Sequence, residues 1–541
     1  MIMDIKDRIL AVVPEAVFTE QADLIATVPA SSLHKLAESL KNDADEPMDY
    51  MRDIVGMDWG ESLGAYYYLE SSKTYNRIAL RAETTDRNNP ELPSVSDVWK
   101  TAEIKEREVY DFFGVKFIGN PDMRRIFLRD NWVGYPLRKD YDESSNPLDM
   151  TNEENEEFSD EYLFDDFGNE VDKKNRVFAK DDYVINIGPQ HPSTHGALRL
   201  RTSINGEIVT KIDPVCGYIH RGIEKMNESL TYPQTLALTD RLDYLSANQS
   251  RHALCMCIEQ AMGLEVTPRI EYIRTIIDEL QRIDSHLLFF ASLILDMGAY
   301  TPFFYGFRDR EMILDIFEKT TGGRLIQNYN RIGGVQADIY PEFQNDVKAF
   351  IKHFRGIVHE YHEVVTGNVI FTTRLKGVGV LTKEDVISLG CTGGTGRASG
   401  WHNDVRKHHP YSAYKNIDFK EITYDGCDSF DRYMVRMDEI MESMNIIEQL
   451  IDNIPEGDFY VKSKPIIRVP EGVYSASVEA SRGEFGVFLE SKGDKTPYRL
   501  HYRSTGLPLV HSLDTACKGF KIADLYAIGG SLDYVIPDID R

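Results

Sequence analysis

The chain has few cysteines and no long apolar run. Its 541 residues include six cysteines at irregular spacing, which is typical of a reducing compartment rather than of a disulfide-stabilised secreted protein. No run approaches the roughly 18 apolar residues that a membrane-spanning helix needs, and the charged start lacks the apolar core of a signal peptide. We therefore expect a soluble protein, or one attached to a membrane through partners.

Basic residues are outnumbered by acidic ones, and much of the excess lies in one stretch. The chain has 61 Lys and Arg against 87 Asp and Glu, a formal net charge of −26. This balance argues against nucleic-acid binding, because that function needs a basic surface. From Asp140 to Asp172 there are many acidic residues and no Lys or Arg. Such a stretch buries too little apolar area to fold alone, so we predict an acidic linker over residues 140–180.

Before this linker, strand-like and helix-like segments are mixed. Alternating apolar residues predict strands, and apolar residues at intervals of three and four predict helices. By these rules we expect strands at 23–29, 65–69 and 77–81 and helices at 31–40 and 98–113. The sequence therefore predicts a small α+β domain over residues 1–139.

After the linker, helical patterns dominate. A β-hairpin is predicted over 184–210, and strands at 473–480, 486–489 and 498–502. Two long buried helices are predicted from apolar spacing, one with Ile270, Ile273, Ile277, Leu280, Ile283, Leu287 and Phe290, the other with Met434, Met437, Met441, Met444 and Ile447. The fold class is thus a multidomain α+β protein in which residues 181–541 form a mainly helical bundle with flanking β elements.

Two kinds of binding motif can be tested by spacing alone. A nickel–iron centre needs pairs of thiolates three positions apart, whereas Cys255 and Cys257 are two apart. The glycine-rich residues 390–396 lack the Lys-Ser/Thr end of a phosphate-binding loop. We therefore expect the chain to bind no metal of its own, and we expect a turn at the glycine cluster.

Two histidines lie in a loop rich in proline and glycine. Residues 183–200 read YVINIGPQHPSTHGALRL, with His191 and His195 between two strand-like flanks. Pro192 breaks the helical geometry of a zinc-binding histidine pair and leaves a rigid loop that can hold an imidazole at the mouth of a pocket. A histidine in such a loop is either structural or functional, and we expect His191 to stabilise the turn or cap a helix.

An aspartate and a tyrosine are further candidates for chemistry. Asp296 ends a strongly apolar helix, where a carboxylate needs a partner or an exit to water. A histidine is a plausible partner, and the carboxylate would raise its pKa from about 6.5. Tyr244, in the segment RLDYL, is expected on another helix. A phenol and an imidazolium are both proton donors, as the two oxygens of a quinone require on reduction.

Several long motifs match one family in the expected order. EREVYDFFGV (106–115), RRIFL (124–128) and GYPLRKD (134–140) resemble the signature of the C subunit of respiratory complex I, the proton-pumping NADH-quinone oxidoreductase. The motifs that resemble the D subunit of the same complex are NIGPQHPSTHGALR (186–199), IHRGIEK (219–225), TPFF (301–304), RIGG (331–334), RGEFG (482–486) and DIDR (538–541). The resemblance covers nearly the whole chain except the linker, so the chain looks like a fused C/D subunit.

The resemblance implies roles for four residues. It places His195 and Tyr244 against the quinone headgroup, pairs Asp296 with that histidine, and puts Arg221 near the terminal iron–sulfur cluster of the neighbouring subunit. It also implies that the D-like part is similar to the large subunit of nickel–iron hydrogenase without its metal ligands, in agreement with the cysteine spacing.

The same resemblance implies a location and partners. The chain would be a peripheral-arm subunit on the cytoplasmic side of a bacterial inner membrane, with quinone as substrate. Its expected partners are the iron–sulfur subunit that supplies a 4Fe–4S cluster and the membrane-arm subunit of the quinone channel. Two alternatives stay open: the same site in a complex fed by ferredoxin or another donor, and a purely structural assembly subunit.

Some of these residues also have structural explanations. His220 and Arg221 would serve equally well to cap a helix start or form a salt bridge there. Arg107, Arg124 and Arg125 are interpreted as a docking surface, because no nucleophile or set of metal ligands accompanies them.

Overall fold

A computed structural model describes residues 4–129, 131–142, 144, 177–178, 182–189, 196–462, 464 and 466–541. The α-helices are α1 (Ile5–Val12), α2 (Ala30–Lys41), α3 (Thr101–Phe113), α4 (Ile223–Ser229), α5 (Tyr232–Thr239), α6 (Ala247–Met262), α7 (Pro268–Asp296), α8 (Tyr300–Thr321), α9 (Phe343–Tyr361), α10 (Val369–Leu375), α11 (Lys383–Leu389), α12 (Gly393–Arg397), α13 (Val405–His408), α14 (Ser429–Ile451), α15 (Gly506–His511), α16 (Leu513–Cys517), α17 (Leu525–Leu532) and α18 (Ile536–Ile539).

The strands are β1 (Val17–Glu20), β2 (Leu24–Thr27), β3 (Tyr50–Asp58), β4 (Leu63–Glu70), β5 (Arg77–Thr84), β6 (Glu91–Pro93), β7 (Lys116–Ile118), β8 (Tyr183–Ile187), β9 (Arg199–Asn205), β10 (Ile208–Val215), β11 (Asn330–Arg331), β12 (Gly334–Val335), β13 (Gly472–Ala480), β14 (Gly483–Ser491) and β15 (Arg499–Arg503). We call residues 4–142 the N-terminal region and residues 182–541 the C-terminal region.

The N-terminal region is built on a five-stranded sheet in the order β1-β2-β5-β4-β3. The β2–β5 pair is parallel and the other pairs are antiparallel. Phe113 of α3 packs against one face, so closely that a side chain at Gly56 would lie 2.6 Å from its ring. The other face meets the C-terminal region, where Val473 and Phe488 join the apolar cluster of Tyr66. The sheet is therefore covered on both faces.

Strand β3 is the main element that the sequence patterns missed. All nine of its residues are buried, including Arg52, Asp53 and Asp58. These charges obscure the apolar alternation that predicts a strand. Each has an oppositely charged partner from another part of the chain, so the reason for their burial is tertiary.

A three-stranded sheet in the order β10-β9-β8 opens the C-terminal region. A two-stranded hairpin was expected over 184–210. The structure adds β10, which pairs antiparallel with β9. The predicted strands at 473–480, 486–489 and 498–502 are confirmed as the antiparallel sheet β13-β14-β15.

Helix α7 forms the centre of the helical bundle. It has 29 residues, a length of about 44 Å at 1.5 Å per residue, and contacts α6, α8, α14 and α17. Its predicted apolar stripe is buried, and so are Met437 and Met444 of α14, which confirms that the methionines belong to the core. Over the described ranges, no helix is both long enough and apolar enough to cross a membrane.

A layer of buried ion pairs joins the two regions, and we call it the junction (Arg52, Asp53, Lys105, Glu224, Glu484 and His501). Arg52 of β3 lies 2.6 Å from Glu484 of β14. His501 of β15 contacts Asp53 through Nε2 at 2.9 Å and Glu224 through Nδ1 at 3.0 Å. Burial lowers the pKa of His501, but these two carboxylates outweigh it, and the net pKa is raised.

The three arginines interpreted as a docking surface bind within the chain instead. Arg107 donates to the carbonyls of Arg124 and Arg125, both at 3.0 Å. Arg125 pairs with Asp111 at 2.9 Å, and Arg124 reaches Asp213 of β10 at 2.8 Å. The prediction was wrong because the three side chains are largely buried and these acceptors lie 14 to 89 residues away along the chain, which a local pattern does not reveal.

Candidate functional site

A cavity of about 350 Å³ lies between α7, α8 and the turn before α6. Its volume falls within the range of about 300–1,000 Å³ that is usual for small-molecule sites. The walls are mainly apolar, with a few polar groups, and the lining residues are Tyr244, Leu245, Leu288, Ser292, Leu295, Asp296, Phe303, Phe307, Arg310 and Leu325. Two predicted site residues, Tyr244 and Asp296, thus meet in one cavity despite their separation in the chain.

Tyr244 lies in a turn between α5 and α6, and the prediction of a helix there was wrong. Asp243 stabilises the turn: its carboxylate accepts a hydrogen bond from the Leu245 N–H at 3.1 Å, and its carbonyl accepts one from the Ser246 N–H at 2.9 Å. An aspartate side chain that bonds to nearby backbone in this way competes with helix formation.

Arg482 stabilises the turn that carries Tyr244. Its guanidinium, which is buried, lies 3.0 Å from Asp243 and 3.3 Å from Asp533. The backbone around it is packed so tightly that a Cβ on Gly393 would lie 2.4 Å from the Arg482 carbonyl oxygen. The glycine-rich segment is therefore a close packing contact, and the prediction of a turn was wrong for residues 393–396, which belong to helix α12.

The Tyr244 phenol is suited to donate a hydrogen bond into the cavity. Burial raises its pKa, and nearby Arg482 and Arg310 only partly oppose that effect. Because the ordinary pKa of tyrosine is about 10, the hydroxyl keeps its proton at neutral pH.

Asp296 occupies the last position of α7. Two residues later, Gly298 has a positive φ of 86°, and the chain turns there before α8 begins. A carboxylate at the C-terminal end of a helix is destabilised by the helix dipole, so a cation nearby would stabilise it. His195, predicted to pair with Asp296, lies outside the described residues, as does His191.

Arg310 lines the cavity and belongs, with Asp284 and Gln281, to a polar group that the sequence patterns missed. Nε of Arg310 lies 2.8 Å from Asp284, which is fully buried on α7. Burial raises the pKa of Asp284 to about 6, although Arg310 lowers it. A signal was present: Phe303, Phe307 and Arg310 recur at the spacing of one face of α8.

Arg221 lies apart from this cavity. Its side chain is exposed, just before α4. The preceding residue, His220, has a structural role: its Nδ1 lies 2.8 Å from the Asp540 carbonyl oxygen, and its ring stacks on Phe112 and Phe127. The loop that carries Arg221 is therefore attached to the N-terminal region.

Two groups of side chains in the described ranges have the spacing of metal ligands, and neither contains a cysteine. One is the exposed group of His34, Glu38 and Asp97; the other is Glu108, Glu224 and His501. In the second group, Arg499 lies 2.6 Å and Arg541 lies 2.9 Å from Glu224. These guanidinium groups occupy the carboxylate oxygens that a metal would need.

Comparisons with family models and with known proteins point to the same family. Residues 296–467 and 459–541 match the model of the respiratory-chain NADH dehydrogenase 49 Kd subunit, and residues 26–147 match that of the 30 Kd subunit. The NADH-quinone oxidoreductase C/D subunit of Phocaeicola vulgatus is 66% identical over 95% of this chain and 99% of its own length. That of Bacteroides thetaiotaomicron is 64% identical over 95% and 99%. The NADH-quinone oxidoreductase D subunit of Desulfotalea psychrophila is 46% identical over 67% of this chain and 97% of its own.

Proposed function

Because this chain belongs to the family of NADH-quinone oxidoreductase C/D subunits, we propose that its cavity at Tyr244 and Asp296 receives the headgroup of a quinone. The chain would act as a peripheral-arm subunit of the oxidoreductase and form one wall of the quinone-reduction site. The observation that carries the proposal is the meeting of Tyr244, Asp296 and Arg310 in one largely apolar cavity.

The residues of the cavity match the chemistry of quinone reduction. The reaction adds two electrons and two protons, which turns both carbonyl oxygens into hydroxyls. Negative charge on an oxygen is unfavourable in an apolar cavity, so donors already in position lower the barrier. Tyr244 would donate to one oxygen. His195 would donate to the other and would pair with Asp296.

The electrons would come from outside this chain. We propose that a 4Fe–4S cluster of an adjoining subunit supplies them one at a time and that Arg221 faces this cluster. The exposed position of Arg221 supports that role, since an exposed guanidinium is available to a partner. The chain would bind no metal of its own, and its scattered, mostly buried cysteines support this.

The proposed placement follows from these partners. The chain would lie on the cytoplasmic side of a bacterial inner membrane and contact the membrane-arm subunit of the quinone channel. We propose that residues 1–139 form the C-like domain, 140–180 the linker, and 181–541 a D-like domain similar to the hydrogenase large subunit. The N-terminal domain would act as a scaffold, kept by the fusion at high effective concentration beside the second.

Tyr244→Phe tests the proposal in the assembled complex. The change removes only the hydroxyl, so we expect quinone reduction to fall by at least about tenfold, as is usual when a positioned donor is lost. The readout is NADH-driven reduction of a short-chain quinone, with NADH-driven ferricyanide reduction as a measure of electron entry.

Tyr340→Phe is the matched control. Tyr340 donates to Asp346 at 2.9 Å, away from the cavity lining. The control should retain both activities within twofold. Normal quinone reduction by an assembled Tyr244→Phe complex would refute the role of the cavity and favour a purely structural subunit.

A further inference from the structure

Arg310 presents a guanidinium to the cavity. It lines the same space as Tyr244 and is 6% exposed. The lining beside it on α8 is aromatic, from Phe303 and Phe307. A cation is costly in such surroundings unless it is paired, so its partner determines whether it is held there.

The partner of Arg310 holds it in a defined orientation. Asp284 is 0% exposed, and its two carboxylate oxygens meet Nε at 2.8 Å and Nη2 at 3.1 Å. Of these two contacts only the one at Nη2 has hydrogen-bond geometry, because Nε and the nearer carboxylate oxygen are both buried without a hydrogen-bond partner among the described residues. Nε and Nη2 therefore lie beside Asp284 on α7, while the Arg310 side chain also lines the cavity.

Asp284 is also connected to the turn of Tyr244. Nε2 of Gln281 donates to Asp284 and to the carbonyl of Leu245, both at 3.1 Å. Leu245 follows Tyr244 directly in the chain and lines the cavity as well. The buried carboxylate of Asp284 thus contacts the Arg310 side chain directly. Through the Gln281 amide, it is also connected to the backbone beside Tyr244.

We propose that Arg310 is a substrate-contacting residue of this cavity and that Asp284 is the positioning residue that orients both Arg310 and the Tyr244 turn. This inference rests on the proposed function. The positive charge of Arg310 would be attracted more strongly to a reduced, negatively charged oxygen than to a neutral carbonyl. Loss of that charge therefore affects the rate more than ground-state binding.

Substitutions in the assembled complex test this division of roles. For Arg310→Gln we expect kcat/KM for a short-chain quinone to fall at least tenfold, mostly through kcat. Arg310→Lys keeps the charge without the planar fork, so it should recover part of the loss. Asp284→Asn keeps the size of the side chain, and we expect a three- to tenfold loss.

The double variant Asp284→Asn/Arg310→Gln separates positioning from independent action. The part of the Asp284 effect that passes through Arg310 is already lost in Arg310→Gln, so the double variant should lose less than the product of the two single losses; fully multiplicative losses would refute the positioning of Arg310 by Asp284. Arg355→Gln is the control, because Arg355 pairs with Glu448 on another face of the bundle. It should match the wild type within twofold.

The outcomes distinguish this inference from the proposed function. If Tyr244→Phe impairs quinone reduction while Arg310→Gln and Asp284→Asn behave like Arg355→Gln, the cavity keeps its function and the inference is wrong. If Tyr244→Phe has no effect, the proposed function fails first. Equal loss of ferricyanide reduction and of assembly in Arg310→Lys and Asp284→Asn would mean that the pair is purely structural, which also refutes the inference.

Discussion

Two buried aspartates show how the junction differs from the cavity. Burial raises the pKa of Asp53 at the junction, but Lys105 and His501 outweigh it, and the net pKa is lowered. Burial likewise raises the pKa of Asp284 at the cavity. Arg310 lowers this pKa only in part, so the net pKa is about 6. The number of cations around each carboxylate accounts for the opposite directions.

The two places also differ in how much space they enclose. A cavity of about 30 Å³, room for a water molecule, is found among Arg52, Asp53 and His501 at the junction, whereas the cavity at Tyr244 measures about 350 Å³. At the junction, closely spaced and mutually paired charges hold two segments of the chain in one relative position. Fewer charges around an open space leave hydrogen-bond donors for a ligand.

The largest effect is expected at the junction, from Glu484→Ala. This carboxylate accepts from Arg52 at 2.6 Å, from the Tyr50 hydroxyl at 2.9 Å and from Arg77 at 3.3 Å. Its removal leaves buried positive charge, so we expect the free energy of unfolding to fall by about 3–5 kcal/mol. Denaturant unfolding of the purified chain measures this change.

Glu448→Ala is the control for that prediction. Glu448 pairs with Arg355, and the Glu448 side chain is 50% exposed. Exposed pairs contribute about 0–1 kcal/mol. Similar losses for the two variants would show that the junction is no more stabilising than the surface.

A smaller effect is expected from the pH dependence of Asp284. The pKa of this aspartate rises on folding, from about 3.9 in the unfolded chain. As the pH falls, the folded state therefore binds a proton before the unfolded state does. Stability due to this group therefore increases as the pH falls from 7 to 5, by roughly 1 kcal/mol. The neighbouring charges in this titration are Arg310, which lowers the pKa, and Glu311, which raises it.

The comparison with Asp53 sharpens this prediction. Asp284→Asn should remove that increment from the unfolding free energy measured at pH 5 and 7. Asp53→Asn removes one of the two carboxylates that raise the pKa of His501, so it should also change the pH slope, but through that imidazole and not through its own titration. Equal slopes for wild type and Asp284→Asn would contradict the raised pKa.

The smallest effect on stability is expected from Ser292→Leu. Ser292 lines the cavity, so the larger side chain can occupy existing space rather than displace packed atoms. We expect the unfolding free energy to change by less than about 1 kcal/mol. Quinone reduction should fall at least tenfold while NADH-driven ferricyanide reduction persists. A loss of several kcal/mol would show that the space is not available in the folded chain.

Local patterns predicted the elements that carry their own signal. The stripe from Ile270 to Phe290 became α7, and the strands near residues 473–502 appear where the alternation placed them. Strand β3 was missed because the partners of Arg52 and Asp53 lie on β14, β15 and α3. A pattern within one segment contains no information about those partners.

The same limit applies to the candidate site. Tyr244 and Asp296 were predicted and lie in one cavity, but Tyr244 lies in a turn because Asp243 and Arg482 hold it there. Arg310 was missed, since an arginine on a helix is usually an exposed residue. Its contact with buried Asp284 distinguishes it from partly exposed arginines of the same bundle such as Arg355.

The sequence by itself determined the acidic linker composition, the buried stripes of α7 and α14, and the motifs that identify the family. These depend on residue type and on spacing within one segment. Tertiary structure decided which buried charges are paired, where the cavity opens and which side chains face it. Those properties depend on distances between segments far apart in the chain, and hydrophobic periodicity does not specify such distances.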